Sequence, residues 1–222
     1  GVGASYRIDD SWAVFANYQQ SFRAPQVWGF DLAAGAADQD VAFEQGDSFE
    51  IGTRVLAPAG VEASVTGWRT DFDDVGVFYT GTYENLGRIV AEGVDVALDW
   101  DVGAAVEGLA GLSLRTSWTH QDSELREGPD AGNETPYAWE DKLAWSLQYV
   151  TEDDWRFALG GVHVGDSFSD EANTVAENPD GNLGLNESRT LWDAQVERSW
   201  TRDHGRFRFA VVRVLRNRRA HR

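Results

Sequence analysis

The sequence predicts an all-β chain, an antiparallel up-and-down meander of about ten strands that forms a segment of a transmembrane β-barrel. Three observations predict it. Ten segments alternate apolar and polar residues with a period of two, every second connection between them is long, and Trp, Tyr and Phe collect at the segment ends.

Composition narrows the partners. With 37 acidic against 19 basic residues and a formal charge of −18, the chain lacks the basic surplus that releases counterions from nucleic acid or holds a protein to an anionic leaflet. No nucleic acid is expected. There is no cysteine among the 222 residues, which rules out a disulfide framework and any Cys-based metal or redox site. No run of about 18 apolar residues offers a transmembrane helix. Contact with a membrane would therefore be made by strands, whose alternation keeps the mean hydropathy low. The chain opens on Gly1 without Met or a signal-peptide pattern, and it is expected to be an excised segment.

In order, the alternating segments fall near 2–8, 12–22, 48–57, 61–72, 88–102, 112–120, 139–150, 155–165, 189–200 and 206–214. In the second, Trp12, Val14, Ala16 and Tyr18 form one face against Asn17, Gln19 and Ser21. In the fifth, Val94, Val96, Leu98 and Trp100 oppose Asp95, Ala97 and Asp99. In the seventh, Trp139, Leu143, Trp145, Leu147 and Tyr149 oppose Lys142, Ser146 and Gln148, with Asp141 breaking the pattern near an end. The fourth alternates poorly, because Val61, Ala63 and Val65 give way to Trp68 and Phe72 on the other parity, and a bulge is expected there. No segment carries a helical period.

The connections repeat a layout. Short turns at 9–11, 58–60, 151–154 and 201–205, with a longer one at 103–111, alternate with long polar loops at 23–47, 73–87, 121–138 and 166–188. Loops beyond about 12–15 residues are uncommon in compact soluble domains. Short periplasmic turns opposite long extracellular loops are normal in an outer-membrane barrel. Tyr6, Trp12, Trp100, Tyr149, Trp155 and Trp200 flank the short turns, while Tyr18, Phe22, Phe72, Trp118 and Trp139 sit at the long-loop ends, as two interfacial girdles would. A secreted β-sandwich capped by the same aromatics is the alternative fold.

Several motifs resemble the TonB-dependent receptors. Tyr18-Gln19-Gln20-Ser21-Phe22-Arg23-Ala24-Pro25 is similar to that family's strand ending in Phe-Arg-x-Pro, and Glu50-Ile51-Gly52-Thr53-Arg54 to the strand after the next loop. Glu84-Asn85-Leu86-Gly87, leading to Gly93-Val94-Asp95, resembles its Asn-x-Gly and Gly-Val-Glu element, with Asp95 in place of Glu. Phe168-Ser169-Asp170-Glu171-Ala172-Asn173-Thr174-Val175, followed by Leu191-Trp192-Asp193, resembles the branch that includes the ferric dicitrate receptor.

The resemblance implies a 22-stranded barrel in the outer membrane of a Gram-negative bacterium, plugged by an N-terminal domain absent from this chain and energised through the TonB complex. It implies a receptor for a ferric chelate, siderophore or ferric citrate. By it, residues 1–212 are a partial barrel and 213–222, with five arginines and one histidine, a basic C-terminal stub of truncated or out-of-frame origin. A passive porin-type channel is the competing membrane function.

No enzyme chemistry is expected, and no metal centre or cofactor. His120, His163, His204 and His221 have no metal-ligand spacing, and the pairs Asp73-Asp74 and Asp153-Asp154 lie in loops or turns with nothing to raise a pKa. Many ferric chelates are anionic, so their capture needs Arg, amide and aromatic groups. Gln20, Arg23, Trp28, Phe30, Phe78, Tyr79, Tyr83, Asn85, Tyr137 and Asn173, all at long-loop ends or within the loops, are the candidate ligand contacts. Glu50, Arg54, Arg69, Asp95, Asp99 and Arg115 are expected to line the lumen.

Overall fold

The computed structural model describes residues 1–24, 43–79, 82–180, 183–202 and 205–216, and only the backbone at 77–79, 82–85, 201–202, 205–208 and 214–216. In chain order the elements are β1 (Val2–Arg7), β2 (Trp12–Arg23), β3 (Glu44–Ala57), β4 (Val61–Asp73), β5 (Gly76–Tyr79), β6 (Thr82–Asn85), β7 (Ile89–Asp101), α1 (Val102–Ala105), β8 (Leu112–Leu125), β9 (Asp141–Val150), β10 (Trp155–Val164), β11 (Ser167–Phe168), β12 (Leu185–Asn186), β13 (Arg189–Arg202) and β14 (Gly205–Arg216). Ten of these strands form one antiparallel sheet in the order β1-β2-β3-β4-β7-β8-β9-β10-β13-β14. The pairs β5-β6 and β11-β12 are separate hairpins within two of the long connections. The main sheet is open, with β1 and β14 as its edges, as an arc of a larger barrel would be. The basic segment drawn from 213 begins inside β14, which runs to Arg216.

Register assigns the two faces. Residues directly opposite one another share a face, and following the pairs across the sheet puts Val14, Thr53, Val65, Val96, Trp118, Leu143, His163 and Thr190 in a single row. Of the 21 large apolar residues exposed within the ten strands, 19 lie on that face, the exceptions being Leu56 and Val212. The opposite face carries Asn17, Gln19, Glu50, Asp95, Asp99, Arg115, Lys142 and Gln148. Among the described residues the buried apolar set is only Ile89, Val90, Val102 and Leu125. Among the described residues no second sheet covers the apolar face, which argues against the β-sandwich alternative.

The aromatic rim measures the strand tilt. The row of Trp12 continues through Val55, Ala63, Leu98, Thr116, Trp145 and Gly161 to Trp192 on β13. The tryptophan that flanks the short turn on β13 is Trp200, eight residues beyond Trp192, after seven strand steps. At roughly 3.4 Å per residue and 4.8 Å per strand this drift is an inclination of about 40°, inside the range of transmembrane barrels. Tyr6, Trp12, Trp100, Tyr149, Trp155 and Trp200 all share the apolar face, so the lower girdle faces outward along the tilted edge.

Four sequence expectations are corrected. The fourth strand has no bulge: β4 pairs without a break to β3 and to β7. Trp68 and Phe72 instead turn to the polar face, where Trp68 covers Gly93, and a Cβ there would come within 2.9 Å of the indole. Phe72 is therefore at a long-loop end but not part of an outward girdle. Arg69, expected in the lumen, lies on the apolar face opposite Phe49 and Glu92. There it joins Asp71, Arg88 and Glu92 in an ion-pair network, at the level where the apolar band ends. Finally, the long connections are shorter than the alternation implied. β3 starts at Glu44, β8 runs to Leu125, and 73–87 holds the β5-β6 hairpin, because polar strand extensions outside an apolar layer need no alternation.

Adjacent residues on β7 give a direct prediction. Val96→Arg places a guanidinium on the lipid face, at a cost of about 2–4 kcal/mol near mid-membrane, and should lower heat-modifiable protein in the outer membrane several-fold. Ala97→Arg, one residue on and facing the other way, should leave it nearly unchanged. Equal losses would contradict the register.

Candidate functional site

The polar face becomes the lumen once the sheet is curved with its apolar side to lipid, and several of its charges are satisfied between neighbouring strands. Arg115 donates to Asp99 at 2.6 Å, Thr119 to Asp95 at 2.5 Å, and Arg54 pairs with Glu62. Ser48 and Thr70 share a hydrogen bond of 2.8 Å. Each pair links residues on adjacent strands, so alternation alone brings them together.

At the mouth, two long loops interlock. Past β8 the chain turns back on itself, with the Leu125 N–H donating to Asn133 O at 2.9 Å and the Thr135 N–H to Ser123 O at 2.8 Å. Loop 165–188 then locks onto this hairpin through Asn173. Its side-chain oxygen accepts from the Glu134 N–H at 2.8 Å and its amide donates to Glu134 O at 2.9 Å. Asn173 sits at φ +52°, a left-handed conformation that Asn adopts more readily than most residues. Asn133 donates to Glu171 O at 2.8 Å, and the Tyr137 N–H to Phe168 O at 2.7 Å. Asp170 holds the turn by accepting from the Thr174 N–H and hydroxyl. Burial, then the carboxylates of Glu140, Asp122 and Asp166, push the Glu134 carboxyl above its usual range.

The family model described as "TonB dependent receptor-like, beta-barrel" matches residues 1–212. The chain belongs to that family. Among solved structures, the unliganded ferric citrate transporter FecA superposes with a TM-score of 0.78 at 24% identity, covering 95% of this chain and 32% of that one. The ferric-catecholate import receptor Fiu from E. coli K12 gives 0.63 at 20% identity, over 90% of this chain and 28% of Fiu. The copper transporter OprC gives 0.66 at 15%, over 89% and 30%. Identities this low establish the shared fold. This chain spans about a third of the length of these structures.

On this receptor wall the sequence-predicted contacts separate. Arg23 ends β2 on the luminal face and pairs with Glu44 of β3. Gln20 lies on the outer face opposite Asp47, beyond Tyr18, whose hydroxyl donates to Asp47 at 2.7 Å. Phe78, Tyr79, Tyr83 and Asn85 are on the β5-β6 hairpin, Phe78 directly across from Tyr83. Trp28 and Phe30 lie outside the described residues. Tyr137 and Asn173 both belong to the loop junction; Tyr137 is 65% exposed, whereas the Asn173 amide is occupied by the clamp. His120 and His163 bond Asp141 and Thr190 on the outer face, and among the described residues no His, Asp and Glu group converges as a metal site.

Sequence reasoning passed over Glu134, Asn133, Lys142 and Arg189. Nothing in the sequence marks Glu134 or Asn133, because their partners are some 40 residues away. Lys142 and Arg189 did carry a signal, being bases on the luminal parity at the mouth ends of β9 and β13.

Amide exchange over 123–140 tests the clamp. Asn173→Ala removes the bonds to Glu134, at about 1 kcal/mol each, and should speed exchange of the Glu134 amide roughly tenfold or more while strand amides stay protected. Because the Glu134 carboxyl is harder to ionise in the assembled loops, its stabilising contribution is complete below its ordinary value of 4.5 and is lost as pH rises through the raised one. Corrected for intrinsic rates, protection should therefore decline with rising pH, and Glu134→Gln should flatten that decline. Unchanged exchange in Asn173→Ala would show that the loops are held by other contacts.

Proposed function

We propose that this chain is part of the barrel wall of an outer-membrane receptor that imports a ferric chelate with energy supplied through TonB. The carrying observation is the open ten-stranded wall, apolar on one side and charged on the other, that follows the FecA barrel over 95% of the chain. The role assigned is transport rather than catalysis. The plug domain and the TonB complex act through parts of the receptor outside this chain, and the chelate is met at the mouth by the long loops and the luminal strand ends. The ferric-catecholate import receptor Fiu shares the fold, which favours iron chelates as the ligand class. Arg23 is a contact in this reading, since its guanidinium stands at the luminal end of β2 where a ligand would displace or share Glu44.

Uptake of radiolabelled iron by iron-starved cells carrying the complete receptor tests this reading. Accumulation should require TonB, and Arg23→Ala should reduce it several-fold at equal barrel abundance. TonB-independent entry would point to a passive channel and contradict the proposal.

A further inference from the structure

The arginines near the mouth are tied to acids: Arg23 to Glu44, Arg69 and Arg88 to Asp71, and Arg126 to Glu124. Two bases there depart from this. Lys142 on β9 and Arg189 on β13 are both exposed, and among the described residues neither takes part in an ion pair.

Register brings the two together. Lys142 and Arg189 each lie directly opposite Val164 of β10, from its two sides. They therefore share one row of the luminal face, rooted two strand spacings apart, about 10 Å, with an apolar residue between them. The Lys142 ammonium stands 5.5 Å from the centroid of the Trp139 ring, whose face favours a cation and steadies it. Arg189 opens β13 and Lys142 is the second residue of β9, after Asp141, so both stand just inside the interlocked loops. Those loops, 126–140 and 165–188, hold ten carboxylates against the single base Arg126, so an anion is repelled by the rest of this sector of the mouth and is favoured at this row.

We infer that Lys142 and Arg189 are a specificity-determining pair that recognises a metal chelate presenting two anionic oxygen groups, carboxylate or phenolate, and discriminates against neutral and cationic chelates. The planar guanidinium takes one oxygen pair in a forked contact and the ammonium takes the other as a point charge, while Val164 provides an apolar bed between them. The inference rests on the uptake reading above and deepens it.

The test uses the complete receptor, with binding of ferric citrate read by quenching of tryptophan fluorescence and ferrioxamine B as a cationic comparison. Lys142→Gln and Arg189→Gln should each weaken ferric citrate about tenfold, the value of one charge-assisted contact, and the double variant should weaken it further. Lys142→Arg should retain binding. Heat-modifiable migration of each variant shows that the barrel is intact, which exposed luminal residues should not alter. If the wild-type receptor takes an anionic ferric catecholate instead, the same losses should appear with that probe. Wild-type affinity in the double variant overturns the pair. A receptor that imports ferrioxamine B and no anionic chelate also overturns it but leaves iron uptake standing, whereas a folded receptor that imports no ferric chelate overturns both readings.

Discussion

In hydrocarbon no water is present to satisfy backbone N–H and C=O groups, and each one left unpaired costs several kcal/mol. The structure of this chain follows from that constraint. Ten strands pair in one antiparallel meander, so each interior strand is bonded to a neighbour on both sides along most of its length and the side chains are free to divide between oil and water. The apolar residues do not make a core, because almost none of them is buried. Their surroundings are supplied by the membrane. The eight-residue drift of the aromatic rim then fixes the inclination at which these strands can keep their tryptophans at one interface.

This constraint also explains how much of the fold could be read from the sequence. Where the wall crosses the apolar layer, period-two alternation is enforced, and the faces of β2, β7 and β9 followed directly from Trp12, Val96 and Leu147. Where it leaves that layer, alternation carries no information. Arg69 and Asp71 occupy outward positions because they stand above the band among headgroups and water. The inward aromatics Trp68 and Phe72 obey cross-strand packing, each set over a glycine, Gly93 and Gly46, a relation between residues on separate strands that no single-strand pattern reveals.

The candidate site was less readable for a similar reason. Loop ends can be located by length, and that placed Arg23 and Tyr137 near the mouth. Which way a residue faces depends on register, and one residue of difference separates Arg23 in the lumen from Phe22 on the outside. Asn173 could be placed in a loop but not given its partner, since its bonds to Glu134 close a span of 39 residues. The polar chemistry of the mouth is thus organised by tertiary pairing: acids collect around Glu134, most bases are neutralised by a neighbour, and Lys142 and Arg189 stand in one row. A strongly acidic chain can still offer a local anion site, because charges separated by more than a Debye length of about 8–10 Å are largely screened.

The central claim is that one face of this sheet meets lipid and the other water, residue by residue. The most direct measurement is a nitroxide scan along β7, from Gly93 to Asp101, in the complete receptor reconstituted in bilayers, comparing collisional access of oxygen with that of a water-soluble nickel chelate. Oxygen maxima are expected at positions 94, 96 and 98 and nickel or packing-limited signals at 95, 97 and 99. Access without a period of two, or with the opposite phase, would contradict it.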